Sequence, residues 1–140
     1  MNERWITPAT PPATDEDRTA IETAVRDYFE GWYEADPGRM ARALHPALAK
    51  RSFGQDSDRA PALSSATADE MVAWTALGYG RGRVGDGRTE IRIDDVSGGI
   101  ANVTFRSEHY VEYVHLAATP DGWRIVNTLW RWADGHGPRG

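Results

Sequence analysis

The sequence predicts a single α+β domain in which about three helices come first and an antiparallel sheet follows, enclosing one aromatic-lined pocket. Three observations predict it. The first half carries apolar residues at helical spacing behind recognisable caps. The second half alternates in strand fashion between glycine-containing turns. Six Trp in 140 residues are more aromatic surface than a core of this size requires. A chain of this length is long enough to bury roughly two thirds of the surface its unfolded form exposes, so one domain suffices.

Residues 1–13 contain Pro8, Pro11 and Pro12 among small residues and read as a flexible N-terminal arm, although Trp5 can dock locally. Thr14 is a candidate N-cap, and Asp15, Glu16 and Asp17 in the following turn complement the helix dipole. Ile21, Val25, Tyr28, Phe29 and Trp32 then fall on one helical face. Asp36 followed by Pro37 marks a second, short helix, which directs Met40 and Leu44 inward and stops near His45, ahead of Pro46. A positive imidazole at His45 would suit that helix's C-terminus.

Ala47 to Phe53 can be extended, and residues 54–66 read as a polar loop. Thr67 with Glu70 forms a capping box for a third helix, in which Met71, Trp74 and Gly78 share a face before Gly78 and Gly80 end it. Glu90 to Asp94 has strand period, Gly98-Gly99 signals a hairpin, and Ala101, Val103 and Phe105 line one face of the next strand. Val114 and Leu116 have the opposite parity along what reads as one continuous strand, which predicts a β-bulge between Arg106 and Glu112. Pro120-Asp121-Gly122 turns the chain into a last strand, Trp123 to Trp132, so the domain occupies residues 14–134 and residues 135–140 form a disordered tail.

Composition excludes several functions. The net charge of −5 argues against a nucleic-acid partner, and the absence of cysteine removes disulfides, thiolate metal sites and a thiol nucleophile. No apolar run serves as a signal peptide or membrane span, so a cytoplasmic protein is the default expectation. The basic residues are 15 Arg against one Lys, which reads as the coding bias of a GC-rich genome. No histidine–carboxylate spacing matches a metal site, and neither metal nor cofactor is expected. Gly80, Gly82 and Gly85 match GxGxxG, but a helix precedes them and a strand follows, the reverse of the dinucleotide order. Arg81, Arg83 and Arg88 in that loop face either an anion at a pocket mouth or solvent.

The segments YFEGWYEADPGRMARALHPALAKR at 28–51, LSSATADEMVAW at 63–74 and YVEYVHLAATPDGWRIVNTLW at 110–130 resemble the nuclear transport factor 2-like superfamily, in particular its SnoaL-like, lumazine-binding branch. The resemblance spans about residues 15–133. It implies a conical fold whose sheet wraps around the long first helix and leaves a pocket open at one end, in a homodimer formed through the outer sheet face. Relatives include isomerases, dehydratases, epoxide hydrolases and polyketide cyclases; the arginine flanked by aspartates of limonene-type epoxide hydrolases does not occur here.

Within such a cone Tyr28, Trp32, Trp74, Tyr110 and Asn127 are candidates for the wall of a site for a small hydrophobic or aromatic molecule. They serve equally as ordinary core. Asn127 is expected on the face of Trp123 and Ile125, where its amide orients a ligand carbonyl or satisfies backbone. His109 and Glu112, at the expected bulge, are the candidate acid–base pair: a desolvated carboxylate gains basicity, and histidine titrates near neutrality. Resemblance to scytalone dehydratase, which uses a histidine on the comparable strand, also points to His109. The opposing reading is a surface histidine and a salt-bridged glutamate. His115 belongs on the outer sheet face. Three functions follow: a cofactor-independent lyase, isomerase or cyclase acting by proton transfer; a non-catalytic ligand-binding protein; or an interaction module built on Tyr113, Trp130 and Trp132.

Overall fold

A computed structural model describes residues 13–81 and 89–138. Nearly all of the expected arm, with Trp5, lies outside these residues, as do Gly82, Arg83, Gly85, Arg88 and the last two residues of the expected tail. Helix α1 (Asp15–Glu34) begins at a complete capping box. The Asp17 N–H donates to Thr14 Oγ1 at 3.1 Å, and the Thr14 N–H donates to Asp17 Oδ2 at 2.9 Å. Asp17 Oδ1 also accepts from Trp123 Nε1 at 3.1 Å, which ties the start of the helix to the far end of the chain. The Thr14 N–H, and after it the Trp123 indole, hold the Asp17 carboxyl below the usual carboxylate range.

Ala35, in the left-handed conformation, ends α1, and α2 (Pro37–Ala43) turns back against it. The approach is close: a Cβ on Gly31 would lie 3.1 Å from the Met40 nitrogen. Arg39 fastens the pair through Asp27 at 2.9 Å, Glu30 at 2.7 Å and Glu34 at 3.2 Å, and Glu30, followed by Asp27, raises its already high pKa. Helix α3 (Ala68–Ala76) starts from the Thr67–Glu70 box and ends ahead of Gly78, whose φ is 81°.

Six strands follow the order β2-β1-β6-β5-β4-β3, with β1 Leu44–Gln55, β2 Pro61–Ala66, β3 Thr89–Ser97, β4 Ile100–Ser107, β5 Tyr110–Thr119 and β6 Gly122–Trp132. The sheet is open, and it is mixed rather than purely antiparallel, because β1 runs parallel to β6. The helices pack on its concave face. Ile21, Val25, Met40, Val103, Phe105, Val114, Leu116 and Ile125 fill the core there, with Phe29 stacked on Phe105 at a centroid distance of 4.7 Å.

Four sequence expectations are corrected. Residues 61–66, expected in a polar loop, form the edge strand β2. Its Pro61 is tolerated as the first residue of an edge strand, and its Ala and Ser content and exposure hide the strand period. No bulge lies between Arg106 and Glu112: β4 and β5 are separate strands joined at Glu108–His109. Phe105 opposes Glu112, Val103 opposes Val114 and Ala101 opposes Leu116, so the parity change is that of a two-residue turn.

A bulge does occur on β6. Leu116 opposes Ile125 but His115 opposes Asn127, which leaves Val126 without a partner. Beyond it the faces exchange. Thr128, Trp130 and Trp132 turn inward, while Asn127 turns outward to meet His115 Nδ1 at 3.1 Å. Asn127 therefore does not share the face of Ile125, and Trp130 and Trp132 are not outer-face residues. Nor does His45 cap α2; Leu44, already extended, occupies that position, and His45 Nδ1 accepts from the Ala47 N–H at 3.0 Å.

Candidate functional site

Between α1, α3 and the concave sheet lies a cavity of about 460 Å³, within the size range of small-molecule sites. Its depth is set by Tyr28, Phe29, Lys50, Phe105, Tyr110 and Glu112, all buried, and its mouth by Ser64, Ser65, Tyr79 and Pro138, all exposed. Pro138 brings the end of the described chain to the opening. Trp32, Trp74, Trp130 and Trp132 complete a predominantly aromatic wall.

The polar groups converge at the deep end. Helical phase puts Tyr28 one turn before Trp32, facing the sheet. Pairing of β1 with β6 sets Lys50 opposite Thr128, and pairing of β5 with β6 sets Glu112 opposite Trp130. The Tyr28 hydroxyl donates to Glu112 Oε2 at 2.5 Å, Lys50 Nζ donates to the same Oε2 at 3.0 Å, and Lys50 Nζ also donates to the Tyr28 hydroxyl oxygen. The ammonium lies 5.2 Å from the Trp130 ring centroid, within cation–π range, and meets Tyr28 through its hydroxyl at the ring edge. Lys50 and Glu112 are 7% and 4% exposed, so this ion pair is shielded from solvent screening.

Burial displaces the titrations of Lys50 and Tyr28. Loss of hydration lowers the Lys50 pKa from its ordinary value, against the opposing pull of Glu112. Burial first, and the Glu112 charge second, push the Tyr28 phenol well above its usual value, so it stays a hydrogen-bond donor. Tyr33, whose hydroxyl donates to Ser107 Oγ at 3.1 Å, is pushed up to about 12, chiefly by burial. Trp32 Nε1 donates to the Tyr110 hydroxyl at 3.2 Å, and Trp32 is itself held by Gly80, where a Cβ would lie 2.5 Å from the indole.

Of the residues singled out in the sequence, Tyr28, Trp32, Trp74, Tyr110 and Glu112 are brought together in the wall of the cavity; Asn127 and His109 are not part of it. His109 sits at the β4–β5 turn, its ring 5.9 Å from Tyr110 and 5.0 Å from His136, and its carbonyl accepts from the Ala133 N–H. The side chains that meet Glu112 are Tyr28 and Lys50 instead. The sequence carried one signal for Lys50, its being the only lysine beside 15 arginines, and coding bias absorbed it.

The family model described as "Putative lumazine-binding" matches residues 16–131. The chain belongs to this family. No curated protein matches it significantly. Its fold is that of the nuclear transport factor 2-like superfamily. A nuclear transport factor 2-like protein of unknown function from Silicibacter pomeroyi superposes with a TM-score of 0.65 at 16% identity, covering 86% of this chain and 99% of that one. A ketosteroid isomerase-like protein from Erwinia carotovora gives 0.56 at 15% identity over 86% and 99% of the two chains. For a protein from Streptomyces avermitilis described as a "putative dehydratase from the NTF2-like family" the values are 0.52, 17%, 85% and 97%. These identities establish common architecture. No helix among the described residues is long and apolar enough to cross a membrane, and no group of three or more metal-ligating side chains occurs among them.

Proposed function

We propose that this family member binds a small, largely apolar carbonyl compound and catalyses proton transfer on it without a cofactor, as a lyase, isomerase or cyclase does. The observation that carries the reading is the buried contact of Tyr28, Lys50 and Glu112 at the end of an aromatic cavity. Glu112 is the base for a proton adjacent to the carbonyl. The Lys50 ammonium and the Tyr28 hydroxyl stabilise the enolate oxygen, in a site where low dielectric strengthens both. The names carried by the Erwinia and Streptomyces proteins are compatible with chemistry of this type.

Exchange of the α-protons of 2-tetralone in D₂O, followed by NMR, tests it. The wild-type protein is expected to accelerate exchange, and Glu112→Gln to reduce the acceleration by about 10²–10⁴-fold, the usual contribution of a general base. Tetralone that binds without accelerated exchange supports the non-catalytic alternative, which the largely aromatic wall favours.

We further propose a homodimer through the convex sheet face. Tyr113 opposes Leu129 and Phe53 opposes Leu63 there, and all four side chains are exposed, at 45–61%. Sedimentation equilibrium is expected to show a dimer for the wild type and a monomer for Leu129→Asp; a monomeric wild type overturns this assignment.

A further inference from the structure

The chain keeps 15 arginines at its other basic positions and a single lysine at the bottom of the cavity. If a positive charge facing Glu112 were all that the site required, arginine would serve as it does elsewhere in the chain. Arginine cannot lose its proton in a protein; a buried lysine can, and the neutral amine is a nucleophile. From this exception and the geometry around it we propose that Lys50 Nζ condenses with an aromatic or alicyclic aldehyde or ketone in the cavity, forming a reversible imine. The inference rests on the reading of the cavity as a carbonyl site and replaces the electrostatic role of the Lys50 ammonium by a covalent one, in which a protonated imine rather than an enolate oxygen takes up the charge.

Every group the step needs lies within the cluster. Glu112 Oε2, 3.0 Å from Nζ, takes a proton from the ammonium and leaves a neutral amine beside a carboxylic acid. The amine adds to the carbonyl carbon, a C–N bond forms, and the carbonyl π bond breaks. The oxygen takes a proton from the Tyr28 hydroxyl, whose own proton is replaced by that of the Glu112 acid. The carbinolamine nitrogen then gives its remaining extra proton back to Glu112, and the C–O bond breaks as the hydroxyl takes that proton and leaves as water. Amine and carbonyl become imine and water, with no oxidant, reductant or metal consumed. Desolvation, which lowers the Lys50 pKa, increases the neutral fraction from which the step begins.

The aromatic wall selects the partner. The Trp130 ring lies 5.2 Å from Nζ and the Tyr28 hydroxyl touches it, so a flat carbonyl compound entering past Tyr79 meets the amine beside the indole ring and next to a proton donor. A bulky polar sugar or a charged carbonyl compound finds little along that wall to replace its hydration.

The full chain is incubated at neutral pH with 2-naphthaldehyde and cyanoborohydride, which reduces an imine to a stable secondary amine, and the modified residue is located by peptide mass mapping. Since Lys50 is the sole lysine, the α-amino group is the only competing primary amine and serves as an internal comparison. Modification of Lys50 is expected about tenfold or more faster than that of N-acetyl-lysine amide, because the cavity holds the aldehyde beside the amine. Binding of 2-naphthalenemethanol, which has the same shape but no carbonyl, is measured in parallel by tryptophan fluorescence. If the alcohol binds and Lys50 is labelled no faster than the free amide, the nucleophilic role is overturned and the binding site stands. If the alcohol does not bind and Lys50 is not labelled, both readings fall. Lys50→Arg is expected to bind the alcohol and to show label at the α-amino group alone; because the wild-type map decides the question by itself, the proposal does not depend on that variant folding.

Discussion

Replacing Glu112 by leucine is expected to destabilise the fold by about 3–5 kcal/mol, the usual consequence of removing one member of a buried ion pair. The substitution preserves approximate volume, so the cost comes from charge rather than from a cavity. Lys50 Nζ loses the oxygen at 3.0 Å, and the Tyr28 hydroxyl loses its acceptor at 2.5 Å, both in a region almost closed to water. Deprotonation of Lys50 limits the penalty, because its pKa is already lowered by burial. The double variant Glu112→Leu/Lys50→Met is expected to recover most of the loss, leaving about 1–3 kcal/mol for the unpaired Tyr28 hydroxyl. Adding Tyr28→Phe removes that remainder as well. Urea denaturation midpoints of the series provide the measurement. A Glu112→Leu protein as stable as wild type would mean that Lys50 reaches solvent through the cavity, and the electrostatic account of the site would fail.

Inserting an alanine between Asn127 and Thr128 is expected to have a larger effect still, namely loss of the folded state. Val126 is the extra residue that lets Ile125 and Thr128 both face the core although an odd number of positions separates them. With one more residue after Asn127 the pairing of β6 with β5 must either break or carry Thr128, Trp130 and Trp132 to the convex side while Leu129 and Arg131 turn into the cavity. Each large side chain so displaced forfeits about 1.5–3 kcal/mol of burial, and an arginine facing aromatic rings without a counter-ion adds several more. The total exceeds much of the 5–15 kcal/mol that holds a typical domain together. Circular dichroism and near-ultraviolet tryptophan spectra distinguish the outcomes; a folded insertion variant with wild-type tryptophan signals would show that a second bulge absorbs the extra residue as the one at Val126 does.

The same residue explains why part of the site was legible in sequence and part was not. Tyr28 and Trp32 lie on a helix whose phase is fixed by a cap fourteen residues upstream of Tyr28, so their inward direction follows from spacing alone. Trp74 is fixed in the same way by the Thr67 box. Glu112 was placed correctly on the side of Val114 and Leu116, though for a different reason than expected: a tight turn, rather than a bulge, reverses parity before it. Asn127, Trp130 and Trp132 were assigned to the wrong faces because an unpaired residue inside a strand leaves no mark in its own composition. It shows itself only in the partner against which it fails to pair.

Lys50 had a different obscurity. Its strand was recognised, but its inward direction depends on parallel pairing with β6, a segment far along the chain, and a parallel ladder has no local turn to announce it. Similarly, β2 is a strand because β1 offers it an edge, not because its residues favour extension.

The sequence by itself determined the three helices and their N-caps, the two glycine-bearing turns, the aromatic character of the interior and the resemblance to the superfamily. These rest on periodicity and on interactions within one turn of the chain, whose physics is complete in a short window. Tertiary structure alone decided which of two alternating faces each residue of β6 presents, and that the chain's one lysine meets a tyrosine and a glutamate from two other elements. Those outcomes depend on long-range strand register, where a one-residue shift reverses every side chain at once and no local interaction opposes it.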